Sequence, residues 1–584
     1  MNMAEKVIHG VPASEGIALG PAYLFQPTEL TIPDRKADSP EDEMARFTAA
    51  LEQAHQELDV VQKTILARTG SEEEAAIFEA HSVMLDDPAL EQGVHERVQA
   101  GLIVERSLQE TIDELANMLS SMDDELFAAR AADVQDVGRR LLRILLGIPA
   151  FSLSEMSQPA IIIAHDLSPS DTASLEPELA LGFCTEAGGL TSHTAILART
   201  LGIPAVVGLG VGFMEKVQDD LQLAMDGETG EVILDPEQGT RRHFEDKRQR
   251  RLSWMQIVQQ EAHSPAQTAE GTRVDVGANV GDIQSARAAL QYGAEGIGLL
   301  RTEFLYLEDI QPPNEEKQYE AYRAIFALFE KKPVIVRTLD IGGDKPPSYM
   351  EFEPELNPFL GWRAIRISLH QLPMFRTQLR AILRAGAGYN VLIMFPMISG
   401  LEELQRAKEV LAEEQEKLEK ASIPHAESIP VGIMVETPAA AVLGDVLAQH
   451  CDFFSIGTND LTQYALAVDR TNERIADLYQ PLHPAVLRLI QQTIEAAHAQ
   501  DIWVGMCGEL AGMQKAIPLL LGIGLDEFSM TPRAIPEAKW LLRQLKQTEM
   551  HQLVSEVMSM GTASQIENFM SQFLAQFQSA PTDS

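Results

Sequence analysis

Cysteine is scarce in this chain. Cys184, Cys451 and Cys507 are the only three in 584 residues. An odd number with no C-x-x-C pair points away from a disulfide framework and from cysteine-ligated zinc, and toward a reducing compartment. Apolar runs of membrane-spanning length are missing, and Met1–Ser14 holds no apolar signal core. A cytoplasmic protein without membrane insertion is therefore expected. Positive charge is also short: 46 Lys+Arg stand against 86 Asp+Glu, a formal net charge of −40. That argues against nucleic acid as a ligand and suits a basic protein partner.

Glycine and proline are thin in one region. Between Glu41 and Leu145 there are four glycines (70, 93, 101, 138) and one proline, Pro88. The same 105 residues carry 23 acidic and 9 basic side chains, net −14, about twice the charge density of the whole chain. Apolar residues recur there at helical spacing, as in Leu51, Leu58, Val61, Ile65 and in Ile112, Leu115, Leu119. The pattern predicts an antiparallel helical bundle with breaks near Gly70, Pro88 and Gly101. Acidic runs such as Glu72-Glu73-Glu74 read mainly as solvated helix faces, and an acidic module also suits docking of a small basic protein.

Elsewhere the composition is that of an ordinary globular protein, 45% hydrophobic and 23% charged. The length fits about four domains, or fewer if one is a barrel. Strand patterns flank the helical region. Val7–Phe25 reads as strand, turn, strand, and Ala160–Ala164, Leu181–Thr185, Ala205–Val207, Leu221–Met225 and Val232–Leu234 follow it, with a hairpin turn at Asp226–Gly230. The bundle is thus expected as an insertion in a compact α/β unit. Within that unit Gly188-Gly189-Leu190-Thr191-Ser192-His193 reads as a glycine turn, a cap and a helix start, and the helix should stop near Gly202 and Pro204. His193 then falls in the first helical turn, where free N–H groups and the dipole favour an anion and disfavour imidazolium. A neutral imidazole beside an anion site suits acceptance of a phosphoryl group. A histidine of ordinary capping role fits the same spacing.

Arg241–Gln260 reads as a charged connecting helix rather than a nucleic-acid patch, because Glu245 and Asp246 interrupt its basic run. Beyond it, eight short apolar runs alternate with helical stretches over about 260 residues, the repeat number of a TIM barrel; a doubly wound open sheet is the alternative. Polar residues gather after these runs: Asn279; Arg301-Thr302-Glu303; Arg337, Asp340, Asp344 and Lys345; Glu436; Thr458-Asn459-Asp460; Cys507-Gly508-Glu509. In a barrel all of them share the C-terminal rim. Arg301, Arg337, Arg363 and Arg470 suit phosphate and carboxylate groups, and Glu436 and Asp460 suit Mg²⁺. Cys507 at a strand end is placed to deliver or remove a proton. Cys184 and Cys451 read as inert, and His483 as structural.

Two segments carry a family resemblance. Gly188–Gly208 (GGLTSHTAILARTLGIPAVVG) and Asp452–Arg470 (DFFSIGTNDLTQYALAVDR) resemble the phosphohistidine motif and the barrel signature of the Enzyme I family of the phosphoenolpyruvate:sugar phosphotransferase system. The first motif is shared with pyruvate phosphate dikinase and phosphoenolpyruvate synthase, which add an ATP-binding domain; no P-loop is found here. The resemblance implies an α/β multidomain chain. A phosphohistidine swivel domain (1–35 plus 146–236) would carry an inserted helical HPr-binding domain (36–145). A helical linker (237–262), a phosphoenolpyruvate-binding and dimerising (β/α)₈ TIM barrel (263–575) and a tail (576–584) would follow. It implies phosphoenolpyruvate bound by Arg301, Arg337, Asn459, Asp460, Arg470 and Arg363, and Mg²⁺ held by Glu436 and Asp460. It further implies phosphoryl transfer to His193 and on to a histidine of HPr, with Cys507 protonating the pyruvate enolate of a homodimeric enzyme. Arg241–Gln260 and the crossings near 25–40 and 145–155 are the expected hinges. A Mg²⁺-dependent barrel lyase or aldolase, or a non-catalytic phospho-binding regulator, remain the competing functions.

Overall fold

The computed structural model describes residues 6–25, 30–37, 39–69, 78, 81–120, 125–148, 153, 156–167, 171, 175–189, 192–307, 311–342, 347, 349–350, 355–470, 472 and 475–578, with the backbone alone at 63–69, 120, 125–132, 193, 196, 200, 476 and 578. The chain forms two compact units, Met1–Ser253 and Trp254–Ser584.

The first unit contains an eight-stranded sheet. Its strands are β1 (Lys6–His9), β2 (Val11–Ser14), β3 (Ile17–Leu24), β4 (Ala160–Ala164), β5 (Ala180–Thr185), β6 (Ala205–Val207), β7 (Gln222–Asp226) and β8 (Glu231–Leu234), in the order β1-β8-β7-β3-β4-β5-β6-β2. β3 to β6 run parallel, and β7, β8, β1 and β2 join antiparallel. The run Ala160-Ile161-Ile162-Ile163-Ala164 is buried along its whole length, as a central strand covered on both faces must be. Asp226 turns the β7–β8 hairpin, accepting from the N–H groups of Glu228 (2.9 Å) and Thr229 (3.4 Å). The stretch expected as two strands before residue 25 thus makes three, because β1, β2 and β3 each pair with a different part of the sheet.

Between β3 and β4 the chain builds the helical bundle. Among the described residues its helices are Pro40–Thr69, Pro88–Gln99, Val104–Ser120 and Glu125–Leu145. Asp87 caps the second, its carboxylate accepting from Ala89 N at 2.8 Å, with Pro88 in the first turn, where a missing N–H costs nothing. The break near Gly101 is also present; the expected break at Gly70 and the run Glu72–Glu74 lie outside the described residues. Phe47, Leu58, Leu90, Val94, Leu108 and Leu141 form part of a core separate from that of the sheet. Leu30 and Ile32 pack on the same core, so residues counted above with the α/β domain join the bundle. Arg35 and Arg46 both bridge Glu43 and Glu105 and fasten this entry segment.

The connecting stretch is a single unbroken helix, Gln238–Glu261, 24 residues long. In its first half Phe244 is buried against Ile17 and Ile233, and Lys247 pairs with Asp226. In its second half Val258 is buried and Trp254 meets Trp540 edge-on at 5.4 Å. The expected hinge at Arg241–Gln260 therefore falls within regular helix.

The second unit is a closed barrel of β9 (Asp275–Val280), β10 (Ile297–Leu300), β11 (Val334–Arg337), β12 (Val391–Phe395), β13 (Val431–Val435), β14 (Phe453–Ile456), β15 (Trp503–Met506) and β16 (Glu527–Met530). Every neighbouring pair is parallel, and β16 closes on β9 from Glu527↔Asp275 to Met530↔Ala278. That closure removes the open-sheet alternative. Alternate side chains fill the interior, with Leu299, Ile335, Leu392, Met394, Met434 and Phe453 in one cluster and Phe453 stacked on Trp503 at 4.8 Å. The opposite faces pack on the surrounding helices. Each such Leu, Ile or Phe contributes about 1.5–3 kcal/mol by leaving water, which makes the barrel a rigid frame for its rim. Among the described residues no helix is long and apolar enough to cross a membrane.

Candidate active site

His193 opens the helix His193–Leu201. Ser192 is its N-cap: the hydroxyl accepts from Ala195 N and donates to Gly189 O at 2.8 Å. A cap of this kind stabilises a helix by about 1 kcal/mol, and it fixes His193 at the first helical position. Gly202 ends the helix at φ 70°, a left-handed conformation that glycine adopts without strain. The positive end of the helix thus lies at His193, as the sequence suggested. Leu190 and Thr191 lie outside the described residues.

The barrel rim gathers a second set of groups. Arg337, the last residue of β11, pairs with Asp340 (2.9 Å) and Glu303 (3.1 Å). Arg363 donates to Asp340 (3.1 Å), Asp460 (3.4 Å) and Tyr464 Oη (3.1 Å). Burial opposes the charge on both guanidinium groups, but the surrounding carboxylates outweigh it and hold them protonated. Asp340 is buried between them; burial alone would raise it, and Arg337 and Arg363 bring it below the ordinary carboxylate range. Among the described residues two donors are left over: Arg337 Nε and Arg363 Nε are buried without an acceptor. Arg301 follows β10 and is exposed. Arg470 is half-buried, and its backbone N–H donates to Gln463 Oε1 at 3.1 Å. Asp344 and Lys345 lie outside the described residues.

Glu436 and Asp460 sit in the same cluster. Burial, helped by the neighbouring Asp460 and Asp340, pushes the Glu436 carboxyl up to about 8 against the pull of Arg337 and Arg363. Its Oε1 accepts from Met397 N at 2.6 Å. Among the described residues no three His, Cys, Asp or Glu side chains form a metal cage. Two carboxylates nonetheless fit a hard divalent cation, which keeps water and substrate oxygens as its other ligands; such a charge would relieve the repulsion that raises Glu436. Asn459 bonds Glu509 twice, giving to Oε1 at 3.2 Å and accepting from its N–H at 2.9 Å. Cys507 is buried, and desolvation above all pushes its thiol up to about 12, so at neutral pH it holds a proton it can donate. Cys184, in the core of the first unit's sheet, and Cys451, just before β14, are buried and likewise raised by burial, and His483 proves to be a helix N-cap, its Nδ1 accepting from Ala485 N at 3.1 Å.

Beneath the rim lies a buried network that sequence reasoning missed. Gln378, on the helix Leu372–Ala385, accepts from Leu339 N (3.0 Å) and donates to Thr302 Oγ1 (3.0 Å) and Tyr322 Oη (3.3 Å). Thr302 in turn donates to the carbonyl of Arg337 at 3.0 Å. The backbones that carry Arg301 and Arg337 are thereby tied to one side chain. Tyr464, which donates to Phe359 O at 2.5 Å, was likewise unassigned although it lies inside the barrel signature.

Known proteins match this arrangement along the chain. Family models for PEP-utilising enzymes match as the N-terminal domain over residues 9–130, the mobile domain over 156–230 and the PEP-binding domain over 256–547. The chain is 47% identical over 571 residues to the phosphoenolpyruvate-protein phosphotransferase of Bacillus sp. (strain S), covering 97% of this chain and 98% of that one. It is 43% identical over 568 residues to that of Bacillus subtilis (strain 168), covering 96% and 99%. The chain belongs to the phosphoenolpyruvate-protein phosphotransferase family. An NMR solution structure of an Enzyme I (nEIt) protein is 39% identical over 41% of this chain and 98% of its own, with a TM-score of 0.37. Membership makes the chain an enzyme, a phosphotransferase that draws on phosphoenolpyruvate, and the family uses a divalent metal ion. His193 falls in the mobile domain, and the rim groups fall in the PEP-binding domain.

Proposed function

We propose that the enzyme transfers the phosphoryl group of phosphoenolpyruvate first to His193 and then to a histidine of the phosphocarrier HPr, releasing pyruvate as the opening step of sugar uptake. The observation that carries this reading is the rim cluster, where two buried arginines keep Nε donors that are unpaired among the described residues, beside two carboxylates and a protonated thiol. Arg337 and Arg363 bind the anionic oxygens of the substrate, with Arg301, Arg470 and Asn459 completing the set. Asp460 orients Arg363 and, with Glu436, would hold Mg²⁺. When bound, Mg²⁺ neutralises charge on the transferred group and the enolate. As the O–P bond of the enol phosphate breaks, leaving the enolate oxygen on carbon, a new N–P bond forms on the His193 ring, whose place at a helix N-terminus favours the neutral nucleophile and then the phosphate. The enolate carbon takes the proton of the Cys507 thiol.

His193 and Cys507 lie in different compact units, so this relay requires the first unit to present His193 to the rim and then to the carrier. The acidic bundle, inserted next to the His193 domain, supplies a surface of the right sign for a basic carrier. Exposed Val442 and Leu443 on the barrel unit suit the homodimer expected of the family, and the reading places the enzyme in the cytoplasm.

The test is incubation with ³²P-labelled phosphoenolpyruvate and Mg²⁺. An acid-labile, base-stable label is expected, and His193→Ala should remove it entirely. Turnover without label would mean a lyase; neither label nor turnover would mean a regulator.

A further inference from the structure

The proton-donor role of Cys507 raises a question of supply. Once the thiol has given its proton to the enolate, the thiolate is 5% exposed and lies beneath its product. Two polar side chains and a glycine lie under it on three adjacent strands. Ser455 on β14, Gly505 on β15 and Glu527 on β16 are in register, and Glu527 is in register with Asp275 on β9. Cys507 stands two residues beyond Gly505, on the same inward face. Glu527 is 7% exposed and, among the described residues, its Oε2 has no partner; Ser455 is fully buried with its hydroxyl beside the Cys507 thiol. The Glu527 carboxyl is admitted by glycines: a Cβ at Gly505 would lie 2.3 Å from Oε2, and Cβ atoms at Gly277 and Gly298 would lie 2.4 and 2.2 Å from Oε1. Residues with side chains at these positions would close the space. Below Glu527, the Asp275 side chain is 60% exposed and pairs with Arg273.

We propose that Glu527 is the proton reservoir of Cys507: after each turnover a proton passes from its carboxyl, through the Ser455 hydroxyl, to the thiolate, and is replaced from solvent at Asp275. This rests on the assignment of Cys507 as the enolate's acid. In each cycle the Cys507 S–H bond breaks as the enolate C–H bond forms. The thiolate then takes the Ser455 hydroxyl proton as Ser455 takes one from Glu527 over a bridging water. Glu527 recovers its proton at the N-terminal end of the barrel, so neither oxidant nor further reactant is needed. The charged and titratable groups acting on Glu527 are Asp275 from β9 and Cys507 from β15, with Arg273 reaching it through Asp275. Burial, with Asp275 adding to it, pushes the Glu527 carboxyl up to about 8, and Cys507 stands at about 12. The acid is therefore loaded at neutral pH, and transfer to the thiolate runs downhill. The path enters at the end of the barrel opposite the substrate, so resupply does not wait for the rim to clear.

The experiment follows pyruvate by rapid quench in the full-length enzyme with phosphoenolpyruvate, Mg²⁺ and excess HPr. Glu527→Gln keeps the shape but carries no acidic proton. It should release the first pyruvate per site at the normal rate, then continue about tenfold more slowly, with a solvent isotope effect confined to the later turnovers. Ser455→Ala, whose smaller side chain folds without strain, should show the same two phases. Phosphoryl return from phospho-HPr to His193 should be unchanged in both. Later turnovers at the normal rate would overturn the relay, as would an equal loss in the first turnover and in phosphoryl return. Cys507→Ala is the separate control: an unchanged first turnover there would remove the donor itself, whereas its loss beside a normal Glu527→Gln would remove the reservoir alone.

Discussion

The barrel unit contains two arginine clusters of similar make-up that behave differently. On the outer helices, Arg376, Arg380 and Arg384 meet Glu315, Glu316, Glu413 and Glu414. Glu414 is fully buried yet accepts from Arg376, Arg380 and Lys417. Although burial works against them, Glu414 and Glu315 both stay below the ordinary carboxylate range, held there by their cations. At the rim, Arg337 and Arg363 meet Glu303, Asp340 and Asp460, but among the described residues two guanidinium N–H groups remain over and Glu436 is driven up to about 8. The outer cluster is complete as folded. The rim keeps spare donors and a raised carboxyl, which is what the proposed doubly anionic substrate and its cation would need. Number of charges does not mark a site; charge left unsatisfied after folding does.

Three substitutions bear on that contrast, in descending order of effect. Arg337→Lys keeps the charge but loses the planar fork, and kcat/KM for phosphoenolpyruvate should fall by about 10²–10³ while the melting temperature changes little. Steady-state pyruvate release checks this, and a loss under about tenfold would mean that point charge, not geometry, is what the rim supplies. Gln378→Leu touches no ligand but strands Leu339 N–H and releases Thr302. A stability loss of about 1–3 kcal/mol in urea unfolding should accompany a fall of about tenfold in kcat; unchanged kcat would show that the rim holds its own shape. Arg380→Met in the outer cluster should leave kcat and KM within about twofold and cost about 1 kcal/mol or less of stability. A larger activity loss would erase the distinction between the two clusters.

Much of this was legible in the chain itself. The capped helix at His193 was readable because its signals are local: two glycines, a serine cap and a terminal Gly202 within fifteen positions. The barrel strands were readable because burial on both faces leaves continuous apolar runs such as Val391–Phe395. The rim followed, since residues after parallel strands share one end. What was not legible depends on partners remote in sequence. Gln378 reaches Thr302 across 76 positions, and no local pattern marks a glutamine for that task. Glu527 and Ser455 lie 72 residues apart and are related only by strand register. Leu30 and Ile32 resemble any connector residues until the bundle core is seen to take them in.

The bundle sits between β3 and β4, which are parallel neighbours, with Ala22 opposite Ile161. Parallel strands always need a crossover, usually one helix; here the crossover is an entire bundle with its own core. A crossover is constrained only where it leaves and rejoins the sheet, so its contents are free of the sheet's hydrogen-bond ladder. The bundle can therefore drift, lengthen or be replaced in one recombination event while the helix that begins at His193 stays in place. The fold lets choice of partner and chemistry evolve on separate clocks.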